Sequence, residues 1–440
     1  MPLHGIAATT SHRIATRLRK WPGVAAALAL VLLLSLTGCG QDDERRAKPP
    51  RATLATGVQE QNPNLVWSAA ARPVPPGGFG PWRDRLAALR PRYIRLFVSW
   101  AQFQPRADQP PDFSLRDAGC LRDVPPCAPY LGVREQLEAI ASQQRAQPGT
   151  EVLIVLHRTP PWAALPASGC EPRDEEPEAR APRDLDRYRE FVAALAGVAE
   201  EAGARVRYWS AWNEPNHPGE LNPQRERCDT SSRPLAPAVY AALVRAMKEA
   251  LEAAPGEQEP VVGELAGYDR PRPTAASTPE FLDALPADVA CLGRIWTQHA
   301  YVGQSVRPAD ADYAGDADLG GSPRLLAALE RSLRRKGCSE PRRIWITETA
   351  VGGPSAGKPR PGDPASERAG CRDMHRALLS WYGDPQVDVA FQYTFREDNF
   401  FPVGLVDTGL TRAYPAYDLW KAWGDRAPDD PPPTLPPSCR

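Results

Sequence analysis

Eight short β-branched or aromatic runs, each followed by a proline- or glycine-marked loop and then an alanine- and leucine-rich stretch at helical spacing, predict a (β/α)8 barrel. Two further observations favour a closed TIM-type cylinder over a doubly wound sheet. No GxGxxG or GxxxxGK[ST] turn follows any of the runs, as the first strand of a doubly wound sheet would normally require. The polar residues His157, Asn213, Glu214, His299, Tyr301 and Glu348 fall at or just past the ends of runs, where a barrel keeps its chemistry. The reading is therefore α/β, a single barrel domain with long loops, preceded by a signal peptide and a flexible tether.

Residues 1–38 have the layout of an export signal: Arg13, Arg17, Arg19 and Lys20 precede an apolar stretch over 24–36. That stretch is shorter than the roughly 20 residues a membrane-spanning helix needs. It ends in Leu36-Thr37-Gly38-Cys39, which resembles the lipobox of bacterial lipoproteins and implies that Cys39 becomes a lipidated N-terminus. Residues 39–62 are polar, contain Pro49-Pro50 and show no apolar period, so they are expected to be a tether. The expected location is extracytoplasmic, on a bacterial membrane through the lipid at Cys39.

The barrel domain is expected over 63–425. Its strands are predicted at 64–68, 93–100, 151–157, 205–212, 261–265, 294–299, 343–347 and 387–394, where apolar β-formers alternate or run together. Helices are predicted between them at 82–89, 133–142, 185–201, 238–253, 324–335 and 365–381. The long loops at 101–130 and 159–184 follow the second and third runs and are expected to wall the barrel mouth. The proline-rich tail, 426–440, reads as extended, with Cys439 a means of pinning it to the body.

Beyond Cys39 there are eight cysteines, at 120, 127, 170, 228, 291, 338, 371 and 439, an even set in an exported chain, which predicts disulfides. Cys120 with Cys127 is the first pair expected, because the short segment between them turns through Pro125-Pro126. The other pairings stay open. Fifty-three basic and 54 acidic residues leave a net charge of −1, which disfavours nucleic acid or an anionic membrane surface as a partner. The 42% hydrophobic content suffices for a large core.

Two carboxylates carry the chemistry. Glu214 stands where Tyr208-Trp209-Ser210-Ala211-Trp212-Asn213-Glu214-Pro215 passes from strand to loop, and Glu348 lies in Ile344-Trp345-Ile346-Thr347-Glu348-Thr349. Glu348 shares parity with Ile344 and Ile346, so all three are expected to point the same way. A pair of acids on two strand ends suits glycoside hydrolysis, with one carboxyl protonating the leaving oxygen and the other attacking the anomeric carbon. Trp212 and Pro215 flank Glu214, an apolar setting expected to raise its pKa and make it the acid, which leaves Glu348 as nucleophile. Glu264, at the end of the fifth run, competes for that role and is read as structural or substrate-binding. No metal or organic cofactor is called for.

Trp212-Asn213-Glu214-Pro215 resembles the strand-four motif of the clan A retaining glycoside hydrolases, with a flavour of families 39 and 5, over about residues 65–423. The resemblance implies that Asn213 binds the sugar 2-hydroxyl, Glu214 is the acid/base and Glu348 the nucleophile. His299-Ala300-Tyr301 is similar to the strand-six His-x-Tyr, which places the Tyr301 hydroxyl on the nucleophile, and Arg95 resembles the strand-two arginine that keeps it charged. His157 and Trp162 look like strand-three loop residues. Strand eight departs from the pattern: Phe391-Gln392-Tyr393-Thr394-Phe395 stands where a tryptophan is usual, which leaves Tyr393 or Phe395 as a substitute platform. Trp100, Trp162 and Trp212 are candidates to stack on sugar, while Trp345 and Trp420 are expected between barrel and helices. A retaining β-glycosidase acting on an oligo- or polysaccharide is the leading reading. A glycan-binding lipoprotein without turnover and a transglycosylase remain open beside it.

Overall fold

The computed structural model describes residues 53–171, 176–268, 270–302, 323–338, 342–351, 360, 362–398 and 401–440. The signal segment, Cys39 and most of the expected tether lie outside them. Eight parallel strands close into a barrel in chain order, and the first pairs with the last. They are β1 (Ala55–Gln59), β2 (Tyr93–Ser99), β3 (Glu151–His157), β4 (Tyr208–Ser210), β5 (Glu259–Leu265), β6 (Ile295–His299), β7 (Arg343–Thr349) and β8 (Val387–Gln392).

Among the described residues, each strand is followed by a helix: α1 (Gly80–Ala88), α2 (Gly132–Ala146), α3 (Leu185–Glu201), α4 (Ala236–Glu252), α5 (Thr278–Ala284), α6 (Pro323–Arg335), α7 (Pro364–Gly383) and α8 (Pro415–Gly424). The helix starts are written locally. The Asp184 side chain accepts from the Asp186 amide at the head of α3, Ser277 and Glu280 form a capping box on α5, and Asp363 accepts from the Ser366 amide on α7. A proline is the second residue of α1, α4 and α5 and the first of α6, α7 and α8; there a missing N–H costs nothing.

The predicted strand at 64–68 is not one. Asn62 accepts from the Asn64 amide and Pro63 begins a short helical turn, Pro63–Val66, so the chain there coils. The first strand lies earlier, at Ala55–Gln59, inside the segment expected to be tether. The sequence Ala-Thr-Gly-Val-Gln is a poor strand former, and pairing with β8 and β2 on either side overrides that weakness. Gly57 has a reason to be there: a Cβ at this position would overlap the ring of Phe391.

The barrel interior is filled from every strand, with Leu153, Val155, Tyr208, Val261, Trp345 and Phe391 at its centre. Trp345 is thus inside the cylinder rather than between barrel and helices, which corrects the expectation for it; its ring meets Tyr208 and Tyr93 edge-on. Trp420 lies in the layer between strands and helices, as expected. Four disulfides join Cys120–Cys127, Cys170–Cys228, Cys291–Cys338 and Cys371–Cys439. The last holds the C-terminal tail against α7, where Cys439 is fully buried. Among the described residues no helix is long and apolar enough to cross a membrane.

Candidate active site

The mouth of the barrel at the strand C-termini holds a dense set of charges around Arg95. This guanidinium is completely buried. It donates from Nη1 to Glu348 Oε1 at 2.7 Å and to Gln59 Oε1, and from Nη2 to Glu264 Oε2 at 2.5 Å and Asn213 Oδ1 at 3.1 Å. Burial opposes its charge, and Glu264 and Glu348 more than offset that cost. A buried cation on β2 thereby binds the ends of β1, β4, β5 and β7 together.

His299 on β6 is the second hub. Its Nδ1 lies 2.8 Å from Glu214 Oε1 and 3.4 Å from Glu348 Oε2, and its Nε2 lies 3.1 Å from Glu264 Oε2. Burial works against a cation here, but the three carboxylates push the ring up to about 10, so the imidazolium donates from both nitrogens. Tyr301 donates its hydroxyl to Glu348 Oε2 at 2.5 Å. One oxygen of Glu214, one of Glu348 and a ring nitrogen of His299 lie within 4.8 Å of one another. That triad has the donor types of a metal site, yet each member is already matched by an opposite charge, which suits an ion-paired network.

Glu348 reaches this position by a route the parity argument missed. Ile344 and Ile346 face the helices, not the mouth, and strict alternation would have sent Glu348 after them. The ladder slips between Gln298/His299 on one side and between Ala390/Gln392 on the other, so a bulge near Thr347 re-aims the side chain inward. β5 does the same. Its register slips between Val262 and Leu265, where Gly263 has φ +130° and Glu264 φ +53°. A Cβ on Gly263 would run into the Thr297 carbonyl.

The expected raised pKa of Glu214 is overturned. Burial does press it upward, but the hydrogen bond and charge of His299 prevail and hold it below the ordinary carboxylate value. Trp212 is not beside the carboxylate: its ring is buried against Tyr188 of α3, and its Nε1 donates to the Glu220 carbonyl. Trp100 is likewise buried, and Trp162 packs edge-on against it with Nε1 on the Gln104 carbonyl. Among the residues that line the cavity at the mouth, none is a tryptophan. Tyr393 does line it, half-buried beside Tyr301 and Phe97, whereas Phe395 is lost to the core.

Glu264 is fully buried between Arg95 and His299, which hold its carboxyl down to about 2 against the effect of burial. Glu348 is slightly exposed and Glu214 more so, which leaves these two, not Glu264, open to a ligand. Asn213 accepts from Arg95 beneath them.

Sequence reasoning overlooked Glu220. It sits in the loop after β4, its carboxylate 3.9 Å from both His157 Nδ1 and Arg158 Nη2. Burial pushes it up to about 7, with Glu214 and Glu348 adding to the shift and Arg158 and Asn213 opposing it. Burial also pushes His157 down to about 3, aided by Arg158 and Arg95, so that ring is neutral. Nothing in the local sequence of Glu220 marks it, because its role depends on which strand ends the loop crosses.

No protein-family model matches this sequence, and comparison with curated proteins found no match. Solved structures do superpose on it. A family 39 glycoside hydrolase from the gut symbiont Bacteroides cellulosilyticus WH2 aligns over 85% of this chain and 64% of its own, at 15% identity and a TM-score of 0.48. The catalytic domain of GH30 xylanase C from Talaromyces cellulolyticus covers 86% and 77%, at 12% identity and TM-score 0.49. One of two fungal β-1,4-galactanases covers 84% and 99%, at 14% identity and TM-score 0.48. This chain thus spans about two-thirds of the family 39 enzyme. At such identities the chemistry has to be read from the side chains at the barrel mouth.

Proposed function

We propose that the protein is a retaining β-glycosidase that cleaves O-glycosidic bonds of an oligo- or polysaccharide through a covalent glycosyl-enzyme. The observation that carries this is the approach of Glu214 and Glu348 to within 4.8 Å at one end of the barrel. Retaining enzymes keep their carboxyl groups about 5 to 5.5 Å apart, whereas inverting ones need about 6.5 to 9.5 Å to admit water.

Glu348, oriented by Arg95 and Tyr301, attacks the anomeric carbon. The bond to the leaving oxygen breaks, and that oxygen takes a proton from Glu214. This proton resides on the His299 side of the 2.8 Å pair, so His299 supplies it through Glu214 as the oxygen becomes basic. Water then attacks the glycosyl ester, Glu214 and His299 recover the proton, and Glu348 is released. Asn213, anchored by Arg95, binds the 2-hydroxyl in this reading, and Tyr393 contacts the sugar face in place of a tryptophan. Export, which the four disulfides support, and a lipid on Cys39 complete the reading. Detergent-phase partitioning lost in Cys39→Ser tests the anchor.

Trapping with a panel of 2-fluoro glycosides and mapping the labelled peptide tests the chemistry. Label is expected on Glu348. Label on Glu264 would move the nucleophile there, whereas glycan binding with no turnover, in a protein indistinguishable from Glu348→Ala, would replace this reading with that of a binding protein.

A further inference from the structure

Glu214 leans toward β6 through His299, so the leaving group belongs on the β4 to β6 side of the mouth. On the opposite side, above β8, β1 and β2, lies a cavity of about 310 Å³. Tyr393, Phe97 and His157 line it next to the catalytic pair, and so does Gln59, which accepts a hydrogen bond from the same Arg95 that holds Glu348. Its outer wall is the segment closed by the Cys120–Cys127 disulfide. The volume is at the low end of the roughly 300 to 1,000 Å³ of small-molecule sites, room for one sugar ring and not for a run of them.

Two features of the lining point to a ligand rich in hydroxyl groups. Gln136 is 7% exposed, and its Oε1 has no hydrogen-bond partner; Gln61 beside it is half-buried, and its Oε1 is enclosed and unmatched as well. The Gln136 amide donates to the Gln61 carbonyl at 2.6 Å, which fixes the two side by side with their acceptors unused. Buried acceptors of this kind are rare without a donor, and a sugar hydroxyl is one. The second feature is charge. Glu60, Asp117 and Asp398 line the cavity with Arg396, which already donates to the Thr408 and Val124 carbonyls, and Asp398 is paired with Arg122 at 2.6 Å, so three carboxylates stand against two guanidiniums. A uronate or sulfated ring would meet that excess of carboxylates, and an uncharged ring would not.

We propose that this cavity is a second sugar subsite, which takes one uncharged pyranose unit joined on the non-reducing side of the sugar that Glu348 captures. The assignment depends on Glu214 and Glu348 being the catalytic pair. Aryl β-glycosides of a neutral monosaccharide, of the matching β-linked disaccharides and of a disaccharide ending in a uronic acid provide the test.

The neutral diglycoside is expected to exceed the monoglycoside in kcat/KM by about tenfold or more, the worth of a few added hydrogen bonds in a fitted site. The uronic-acid analogue should lose that gain. Gln136→Ala and, as a gentler variant at a less buried position, Gln61→Ala should each collapse the ratio of the two kcat/KM values. Equal rates on mono- and diglycosides, or variants that leave the ratio as it was, would overturn the subsite while the catalytic reading stands. Should no glycoside be cleaved, the catalytic reading fails instead. Calorimetric titration of the neutral disaccharide into wild type and Gln136→Ala then decides the subsite, with equal affinity for both counting against it.

Discussion

At the residue scale the site balances buried charge against buried charge. Arg95 and His299 face Glu214, Glu264 and Glu348, and Glu264 touches both cations while remaining wholly buried. Removing one partner of such a pair strands the others, so Glu264→Ala is expected to cost about 3 to 5 kcal/mol in urea unfolding. Glu249→Ala, which breaks an exposed ion pair with Arg189, should stay within about 0.5 kcal/mol. The same network makes a pH prediction for activity. Glu214 and His299 share a proton that rests on the imidazole, because the neighbouring carboxylates push His299 up to about 10 while Glu214 is held below its ordinary value. The alkaline limb of kcat/KM should therefore lie well above neutrality and move down by more than a unit in His299→Gln. A limb that stays put would separate the acid from the imidazole.

Glu220 gives a stability signature of the opposite kind. Its carboxyl ordinarily titrates at 4.5 and is raised to about 7 here, so the folded state favours the protonated form. The stability this lends is complete below pH 4.5 and disappears as the pH rises from there through about 7. The Tm is expected to fall across that window. Glu220→Gln, which mimics the neutral acid, should flatten the fall; a slope unchanged by the substitution would assign it to another group.

At the scale of elements, strand ends were legible where their chemistry is local and illegible where it is imposed. Trp212-Asn213-Glu214-Pro215 announced its own turn, and the positions of Arg95, His299 and Tyr301 followed from strands read within a residue or two. β1 escaped because Ala55–Gln59 lacks the residues that make a strand by themselves and is held by its two neighbours. Glu348 reaches the mouth by another route than the one read from the sequence, since its direction comes from a bulge and not from alternation. The tryptophans misled because a large aromatic ring near a strand end packs against helices as readily as against a ligand. Bulges are carried by the backbone, and that of β5 has a testable hinge. Gly263→Ala puts a methyl group into the Thr297 carbonyl at a φ that disfavours side chains. It is expected to cost about 1 to 3 kcal/mol and to displace Glu264 from Arg95, so that thermal stability and kcat fall together. A stable, fully active variant would show that the bulge does not aim Glu264.

For the whole molecule, the barrel supplies rigidity and the loops supply the site, and the disulfides lie where those two demands meet. Cys170–Cys228 ties the loop after β3, which carries Arg158, to the loop after β4, which carries Glu220, across a separation of 58 residues. In the chain-entropy account, closing a loop of that size stabilises by about 4 kcal/mol, an upper limit where the unfolded chain keeps some structure. The barrel does not need the link to close, because every strand is paired on both sides without it. Replacing both cysteines by serine is therefore expected to lower the Tm by several degrees while far-ultraviolet circular dichroism stays the same, and to reduce kcat/KM more than the loss of stability alone would. Hydrogen exchange should locate the loosening in residues 158–182 and 213–235. Protection lost instead across β3 and β4 would mean that the loops brace the cylinder, reversing the division of labour between scaffold and mouth.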